Sequence, residues 1–307
     1  MSHDLDAVLA RRALARKLSF WRYGAIGVAV LAVLGLAMFA KGDGTAAFSD
    51  HIARIRIDGL ITGDDETVKL VEEVAQAPRV SAVILRINSP GGTTAGSEAL
   101  YESLKELAAE KPLVAVMDTV AASGGYIVAL PAHHIVARGN TITGSIGVIF
   151  QWPDVSKLMN SLGVKMEELK SGELKAQPSP FNPTSPKVRE VSQAMVADSF
   201  AWFTGLVAEQ RKLTGAQVEA LADGRVFTGR QALAAGLIDE LGGEKQASAW
   251  FSKEKSIPEG LVIVDYKPAG DGWGEGFGAF SGILGGIGKV LVPERLSLDG
   301  LQSVWHP

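Results

Sequence analysis

Strand-like and helix-like segments alternate along the middle of this chain. The run Val83–Ile87 is rich in β-branched residues and predicts a short buried strand. A helical pattern follows it, and similar pairs recur on both sides. Such repeated strand–helix units predict a stacked α/β fold. The predicted strands are Ile52–Ile57, Val83–Ile87, Leu113–Met117 and the β-rich stretch Ile135–Phe150; the predicted helices are Thr67–Ala75, Ala95–Leu107, Ser123–Leu130, Val155–Leu162 and Lys187–Lys212.

Two short motifs, with Ser123 and Lys175 fifty-two residues apart, carry candidate catalytic side chains. Ser123 lies in Ala-Ala-Ser-Gly-Gly-Tyr, and Lys175 ends Lys-Ser-Gly-Glu-Leu-Lys. A hydroxyl attacks an amide only when a base removes its proton, and a lysine whose charged form is disfavoured by burial can be that base. Taken singly, each motif also fits a plain helix start or a surface charge. Together they predict a Ser-Lys pair, a recurring variant of the catalytic triad.

A third motif, Ser-Pro-Gly-Gly at Ser89–Gly92, follows the predicted strand Val83–Ile87. We predict a tight turn there, directly before the next helix. Backbone amides exposed at such a turn can bind negative charge that develops during a reaction. A purely structural turn, with glycines chosen for positive φ, is the competing interpretation.

The order of these motifs resembles the signal peptide peptidase A family, the membrane-bound serine proteases of family S49. The resemblance extends from His51 to Phe251. The chain is similar to the half-length bacterial form of the family, which assembles as a ring. The resemblance implies the β-superhelix shared with the crotonase and Clp protease superfamily, and signal peptides and unfolded peptides as substrates. Three further motifs support it: Thr143–Gly147, Ala222–Ala232 and Gly236–Gly243.

The resemblance also implies a role for individual residues. Ser123 would be the nucleophile and Lys175 the general base. The backbone amides of Gly92 and Ser123 would form the oxyanion hole, with Gly91 as a possible neighbour, and Ser145 would orient the lysine. The substrate-binding residues implied are Gly144, Ile146 and Gly147. Because the tandem form takes its serine and its lysine from different repeats, a single-copy chain is expected to share each active site between neighbouring subunits.

Near the N-terminus, the eighteen residues Tyr23–Ala40 carry no charge and are just long enough to span a bilayer core as a helix. Residues 1–22 have a net charge of +3, so the positive-inside rule places them in the cytoplasm. We therefore predict a single-pass protein of the bacterial plasma membrane, in contact with lipid, whose catalytic domain lies outside the cytoplasm. A secretory signal cleaved after Ala40 or Ala47 is the competing interpretation.

Composition excludes several other functions. The chain has no cysteine, which rules out thiolate catalysis, disulfides and cysteine metal sites. Its formal charge is −4 and its basic residues cluster only near the N-terminus, so we expect no nucleic-acid partner. Acidic residues show no metal-ligand spacing, so we predict no metal and no cofactor. No motif couples His133 or His134 to Ser123.

The sequence thus predicts a membrane-anchored serine endopeptidase. A catalytically silent scaffold or sensor of the same fold is the alternative, and an acyl-CoA enzyme is a further one that an exported domain does not favour. The predicted regions are a cytoplasmic segment (1–22), a transmembrane anchor (23–40), a linker (41–50), a protease domain (51–268) and a glycine-rich amphipathic or flexible tail (269–307).

Overall fold

The computed structural model describes residues 21–29, 49–268 and 302–304. The chain divides into two compact units, Met1–His51 and Ile52–Pro307. In the first unit, residues 21–29 form an exposed helix, α1. Only residues 23–29 of the predicted anchor are described, and the rest of it lies outside the described residues. Within the parts of the chain that are described, no helix combines the length and the apolar character that crossing a bilayer requires.

Strands and helices alternate in the second unit, as the sequence predicts. The strands are β1 (His51–Ile61), β2 (Val80–Thr93), β3 (Leu113–Ala122), β4 (His134–Ala137), β5 (Ile142–Gly144), β6 (Val226–Thr228), β7 (Glu240–Leu241), β8 (Ile263–Tyr266) and β9 (Gln302–Val304). The helices are α2 (Asp65–Gln76), α3 (Thr94–Glu110), α4 (Gly124–Ile127), α5 (Ser156–Ser161), α6 (Pro186–Arg211), α7 (Gly215–Leu221), α8 (Gly229–Ala234) and α9 (Glu244–Lys255).

The strands form one mixed sheet with the order β6-β5-β3-β2-β1-β8. Outside this order, β4 pairs with β3, β7 pairs with β4, and β9 pairs with β2. The central strand β3 is parallel to β2 on one side. On its other side it pairs first with β4 and then with β5, both parallel. The carboxyl ends of β2, β3 and β5 therefore meet at one edge, where ligands of α/β sheets bind.

Both faces of the central strands are buried. Along β2, Val83, Leu85 and Ile87 point into the larger apolar layer, which also contains side chains of α2, α3 and α6. The intervening Ile84 points into a second layer, where it meets Phe251 of α9. Since successive side chains of a strand face opposite sides, each β-branched run supplies both layers at once.

Within residues 51–212, each predicted strand is a strand and each predicted helix is a helix, with two corrections to their extent. Strand β2 continues through Thr93, so the predicted tight turn at Ser89–Gly92 is wrong; only a register shift between Ile87 and Ser89 interrupts the pairing with β3. The helix predicted from Ser123 to Leu130 ends at Ile127, and tighter turns with hydrogen bonds between residues three apart continue from there to Leu130, the residue before Pro131. The fold is a mixed α/β sheet, and the β-superhelix implied by the resemblance stays a prediction.

Candidate active site

Ser123 lies at the junction between β3 and α4, with its backbone in an unusual conformation. Its φ is 55° and its ψ is −118°, and only 1% of the residue is exposed. A non-glycine residue held in such a region costs about 1–3 kcal/mol, so the surrounding structure must impose it. The Ser123 amide donates to the Gly144 carbonyl at 2.8 Å, and its carbonyl accepts from the amides of Tyr126 and Ile127. The junction is thus held by backbone hydrogen bonds on both sides.

The residue after Ser123 packs directly against the end of β2. A Cβ added to Gly124 would lie 3.1 Å from the Gly92 amide nitrogen and 2.4 Å from Ser97 Oγ. A Cβ added to Gly92 would lie 1.8 Å from the Ile61 carbonyl oxygen of β1. Neither contact leaves room for a side chain, so both positions require glycine. This close approach brings together the backbones of Gly92 and of Gly124, the residue after Ser123.

Two of the amides predicted for that oxyanion hole are already bonded. The Ser123 amide is engaged by Gly144, and the Gly91 amide donates to Ser89 Oγ at 3.1 Å. By contrast, the amide of Gly124 is the first of α4 and has no intrahelical acceptor by its position. Gly124 was not predicted from the sequence, because a Ser-Gly-Gly motif does not reveal which amide faces β2.

Ser145 occupies on β5 the place that Ser123 occupies on β3. The two strands pair in parallel with Ala122 opposite Gly144, so both serines follow neighbouring strand ends. Ser145 also has a positive φ, 50°, and is 8% exposed, while its amide donates to the Arg225 carbonyl. The structure therefore brings Ser123 and Ser145 to the same edge of the sheet.

The three predicted substrate-binding residues differ in backbone conformation and in burial. Gly144 has a φ of 81° and lies against the ring of Phe227. Gly147 is half-buried beyond the strand end. The side chain of Ile146 is fully buried in the larger apolar layer, so a bound peptide can reach only its backbone.

Lys175 belongs to a long excursion of the chain, residues 150–185, which we call the lysine arm. Its two ends are joined where Trp152 Nε1 donates to Thr184 Oγ1 at 3.0 Å and the Val155 amide donates to the Pro180 carbonyl at 2.8 Å. Lys175 is exposed in a turn on this arm, and none of the described residues hydrogen-bonds or ion-pairs with its ammonium group. Within one chain, the predicted base is thus exposed while the predicted nucleophile is buried.

A hydrogen-bonded support holds α4 from behind. The Tyr126 hydroxyl donates to the Leu237 carbonyl at 2.8 Å, and burial raises the pKa of Tyr126 above its ordinary value. Two residues further on, Asp239 accepts from Arg211 at 2.6 Å and from the Ile135 amide at 2.7 Å. Burial opposes the charged carboxylate, but these bonds prevail and the pKa of Asp239 lies below its ordinary value. The motif Gly236–Gly243 thus supports the helix that follows Ser123, a role that the sequence does not reveal.

Both histidines that were weighed as bases have structural contacts elsewhere. The Leu113 amide donates to His133 Nδ1 at 3.2 Å, and burial lowers the pKa of His133. His134 pairs with Glu240 at 3.1 Å and stacks on Trp250, with 5.3 Å between ring centroids. In the described part of the chain, no three His, Asp or Glu side chains are grouped so as to hold a metal ion. The absence of a metal and a cofactor stays a prediction.

Comparison with known proteins supports a protease, the class of protein that the position of Ser123 indicates. The sequence model of peptidase family S49 matches residues 105–258. A candidate protease of Synechocystis sp. is 38% identical over 215 residues, which is 70% of this chain and 78% of the relative. A candidate signal peptide peptidase of Enterococcus faecium is 35% identical over 241 residues, which is 72% of this chain and 68% of the relative. The chloroplastic serine protease SPPA of Arabidopsis thaliana is 32% identical over 243 residues, which is 77% of this chain and 34% of the relative.

The chain therefore belongs to peptidase family S49, and it is a protease. The family resemblance that the motifs of residues 51–251 indicate is confirmed.

Proposed function

We propose that this protease is a serine endopeptidase in which Ser123 is the nucleophile and Lys175 the general base. The observation that carries the proposal is the position of Ser123. It is buried at the carboxyl end of a central strand, in a strained backbone conformation, and next to the closely packed Gly92. Strained residues of this kind cluster at active sites, where they aim a reacting side chain. The Arabidopsis relative, which is named a serine protease, supports a serine nucleophile.

In the proposed reaction, Ser123 Oγ attacks the carbonyl carbon of a substrate peptide bond while Lys175 Nζ takes the hydroxyl proton. The carbonyl oxygen becomes an oxyanion and accepts from the amides of Gly92 and Gly124. We propose Gly124 in place of Ser123 because the Ser123 amide is bonded to Gly144. Lys175 then returns the proton to the leaving amine, and water releases the acyl group. The Ser145 hydroxyl, at the neighbouring strand end, would orient the lysine.

We further propose that each active site combines Ser123 of one subunit with Lys175 of the next in a head-to-tail ring. Lys175 is exposed within one chain, and a neighbouring subunit would bury it. The lysine arm exposes Leu158, Leu162 and Leu169, and the first half of α6 exposes Val191 and Met195. Apolar side chains exposed next to one another are typical of protein interfaces.

Co-expression of Ser123→Ala with Lys175→Ala tests this sharing. Each variant alone is inactive, but random mixing in a closed ring leaves about a quarter of the interfaces with both residues intact. We expect about a quarter of the wild-type activity, and none from Ser123→Ala mixed with a differently tagged copy of itself. Inactive mixed rings, once the tags show co-assembly, would mean that both residues act within one chain.

We propose cleaved signal peptides and other unfolded apolar segments as substrates, in line with the name of the Enterococcus relative. The uncharged run Tyr23–Ala40 would anchor the protein in the plasma membrane with residues 1–22 in the cytoplasm. Alkaline carbonate should then leave the full-length chain in the membrane. Release of a soluble form that starts between Lys41 and Ser49 would indicate a cleaved signal instead.

Labelling with a fluorophosphonate or a peptide aldehyde tests the nucleophile directly. We expect the label on Ser123 and none on the Ser123→Ala variant, with mass spectrometry of the digested protein as the readout. Ser89→Ala is a matched control, because Ser89 is another buried serine of the same edge but bonds to Gly91 instead of facing a substrate. A folded protein that hydrolyses peptides without any label on Ser123 would reject this nucleophile. A folded protein with neither label nor hydrolysis would favour the silent scaffold.

A further inference from the structure

The C-terminal strand β9 lies on the edge that the proposed function assigns to the substrate. It pairs antiparallel with the end of β2, with Gly91 opposite Val304, Gly92 opposite Ser303 and Thr93 opposite Gln302. The central partner, Gly92, is the residue whose amide would hold the oxyanion. A strand formed by residues 302–304 was not predicted from the sequence.

This edge is available because β3 no longer covers it. The last pair between β2 and β3 joins Ser89 to Ala121, two residues before β9 begins to pair at Gly91. A peptide whose carbonyl oxygen accepts from the Gly92 amide must lie extended beside the same residues, as a strand added to the sheet edge. The backbone of one residue cannot lie beside two extended partners on the same edge. Strand β9 and a substrate strand therefore exclude each other.

The chemistry of the last seven residues also suits this edge. The sequence Leu301–Pro307 contains Leu, Val and Trp and has no Asp, Glu, Lys or Arg side chain. Its side chains thus have the uncharged, partly apolar character expected of the proposed substrates. The 33 residues between Pro268 and Gln302 span up to about 110 Å when extended, so the tether does not force the strand to stay.

We propose that β9 is an internal, competitive occupant of the substrate edge, so that the C-terminus must leave before an extended peptide binds. The inference rests on the proposed function, because it takes Gly91–Thr93 as the edge that receives the substrate. A tail that closes the edge in two molecules out of three lowers the apparent affinity for peptide about threefold. The protease is thus held back by its own last residues, and whatever draws the C-terminus away raises its activity.

Proline substitution in the full-length chain tests the occupant. Ser303→Pro removes the amide of the central residue of β9, and proline is not tolerated inside a paired strand. Ser297→Pro is the matched control, because it makes the same exchange in the same tail but outside β9. Both are made in a Ser123→Ala background, in which the tail cannot be cut by Ser123, and intact mass confirms that the C-terminus is present.

The probe is a fluorescently labelled peptide with the sequence of residues 301–307, and the readout is its dissociation constant by anisotropy. We expect Ser303→Pro to bind the peptide at least about threefold more tightly than Ser123→Ala alone, and Ser297→Pro to match Ser123→Ala. With Ser123 intact, Ser303→Pro should lower KM for a peptide substrate and leave kcat unchanged.

The possible results separate the inference from the proposed function. Equal affinities in all three proteins, an equal gain in both proline variants, or no peptide binding at all would overturn the internal occupant, while Ser123-dependent hydrolysis would still support the protease mechanism. A gain confined to Ser303→Pro without any Ser123-dependent hydrolysis would support β9 as the occupant of this edge and reject Ser123 as the nucleophile.

Discussion

Replacing Asp239 by Asn should destabilise the fold through the support behind α4. Asp239 bonds both terminal nitrogens of Arg211, at 2.6 and 3.1 Å, and the Arg211 side chain is only 10% exposed. Removing one partner of a buried pair costs about 3–5 kcal/mol, whereas exposed pairs contribute about 0–1 kcal/mol. Because the Asp239 side chain is 30% exposed, we expect a loss of about 2–4 kcal/mol in the free energy of unfolding.

Thermal unfolding measures this loss. For a domain of this size, about 2–4 kcal/mol corresponds to a fall in Tm of about 4–16 °C. Asp223→Asn is the matched control, because the Asp223–Arg225 pair has the same chemistry but is 47% and 61% exposed, and should contribute little. Equal changes in Tm for the two variants would refute the argument from burial.

The same carboxylate predicts a pH dependence. The pKa of Asp239 is lower in the folded protein than its ordinary value, because the hydrogen bonds from Arg211 outweigh the effect of burial. Its contribution to stability is therefore complete above the unfolded pKa of about 3.9 and is lost as the pH falls through the folded pKa. The gap in unfolding free energy between wild type and Asp239→Asn should close over that acidic range. A gap that stays constant down to the most acidic pH at which both proteins fold would contradict this assignment.

Three further predictions concern the site itself. Gly92→Ala should lower kcat by about 10²–10³-fold, because the new Cβ meets the Ile61 carbonyl and displaces the amide that would bind the oxyanion. Wild-type values of kcat in steady-state kinetics would contradict this. Lys175→Arg should be inactive at every pH, since a guanidinium stays protonated. The kcat/KM of the wild type should rise with pH to a plateau. Substantial activity in the variant would exclude Lys175 as the base. Tyr126→Phe should reduce the unfolding free energy by about 1–3 kcal/mol, because it leaves the buried Leu237 carbonyl without its donor; denaturant melts with unchanged midpoints would contradict it.

The sequence predicts strands and helices well where apolar periodicity is strong. The run Val83–Ile87 and the long helix α6 are both confirmed. The strand buries a continuous set of apolar side chains, whereas α6 buries Val188, Phe203 and Val207 and leaves Val191 and Met195 exposed. It fails at Ser89–Gly92, where Pro and Gly indicate a turn. There the chain stays paired in the sheet, with a positive φ of 112° at Gly91, because tertiary packing against Ile61 and Gly124 selects a strand where local residue preferences favour a turn.

In the candidate site, too, the sequence predicts some features and not others. Ser123 and Ser145 reach the same edge of the sheet because the parallel strands that precede them pair there, and the family resemblance implies that Ser145 belongs to the site. The amide of Gly124 and the bond from Tyr126 to Leu237 depend on how distant segments pack, and local sequence carries no signal for that. The position of Lys175 relative to Ser123 is a further case, because the proposed partner belongs to another subunit.

The contacts of Gly92 and Gly124 have a consequence for protein engineering. At Gly92 the backbone of Ile61 fills the space where a side chain would lie, and at Gly124 the buried Ser97 hydroxyl and the Gly92 backbone fill it. Directed evolution of new cleavage preferences should therefore find almost no accepted substitutions at these two glycines. The lysine arm, with its exposed apolar side chains and irregular backbone, offers positions that can vary without moving Ser123. A library confined to residues 150–185, with Lys175 left unchanged, should change which peptides are cut and retain the catalytic machinery.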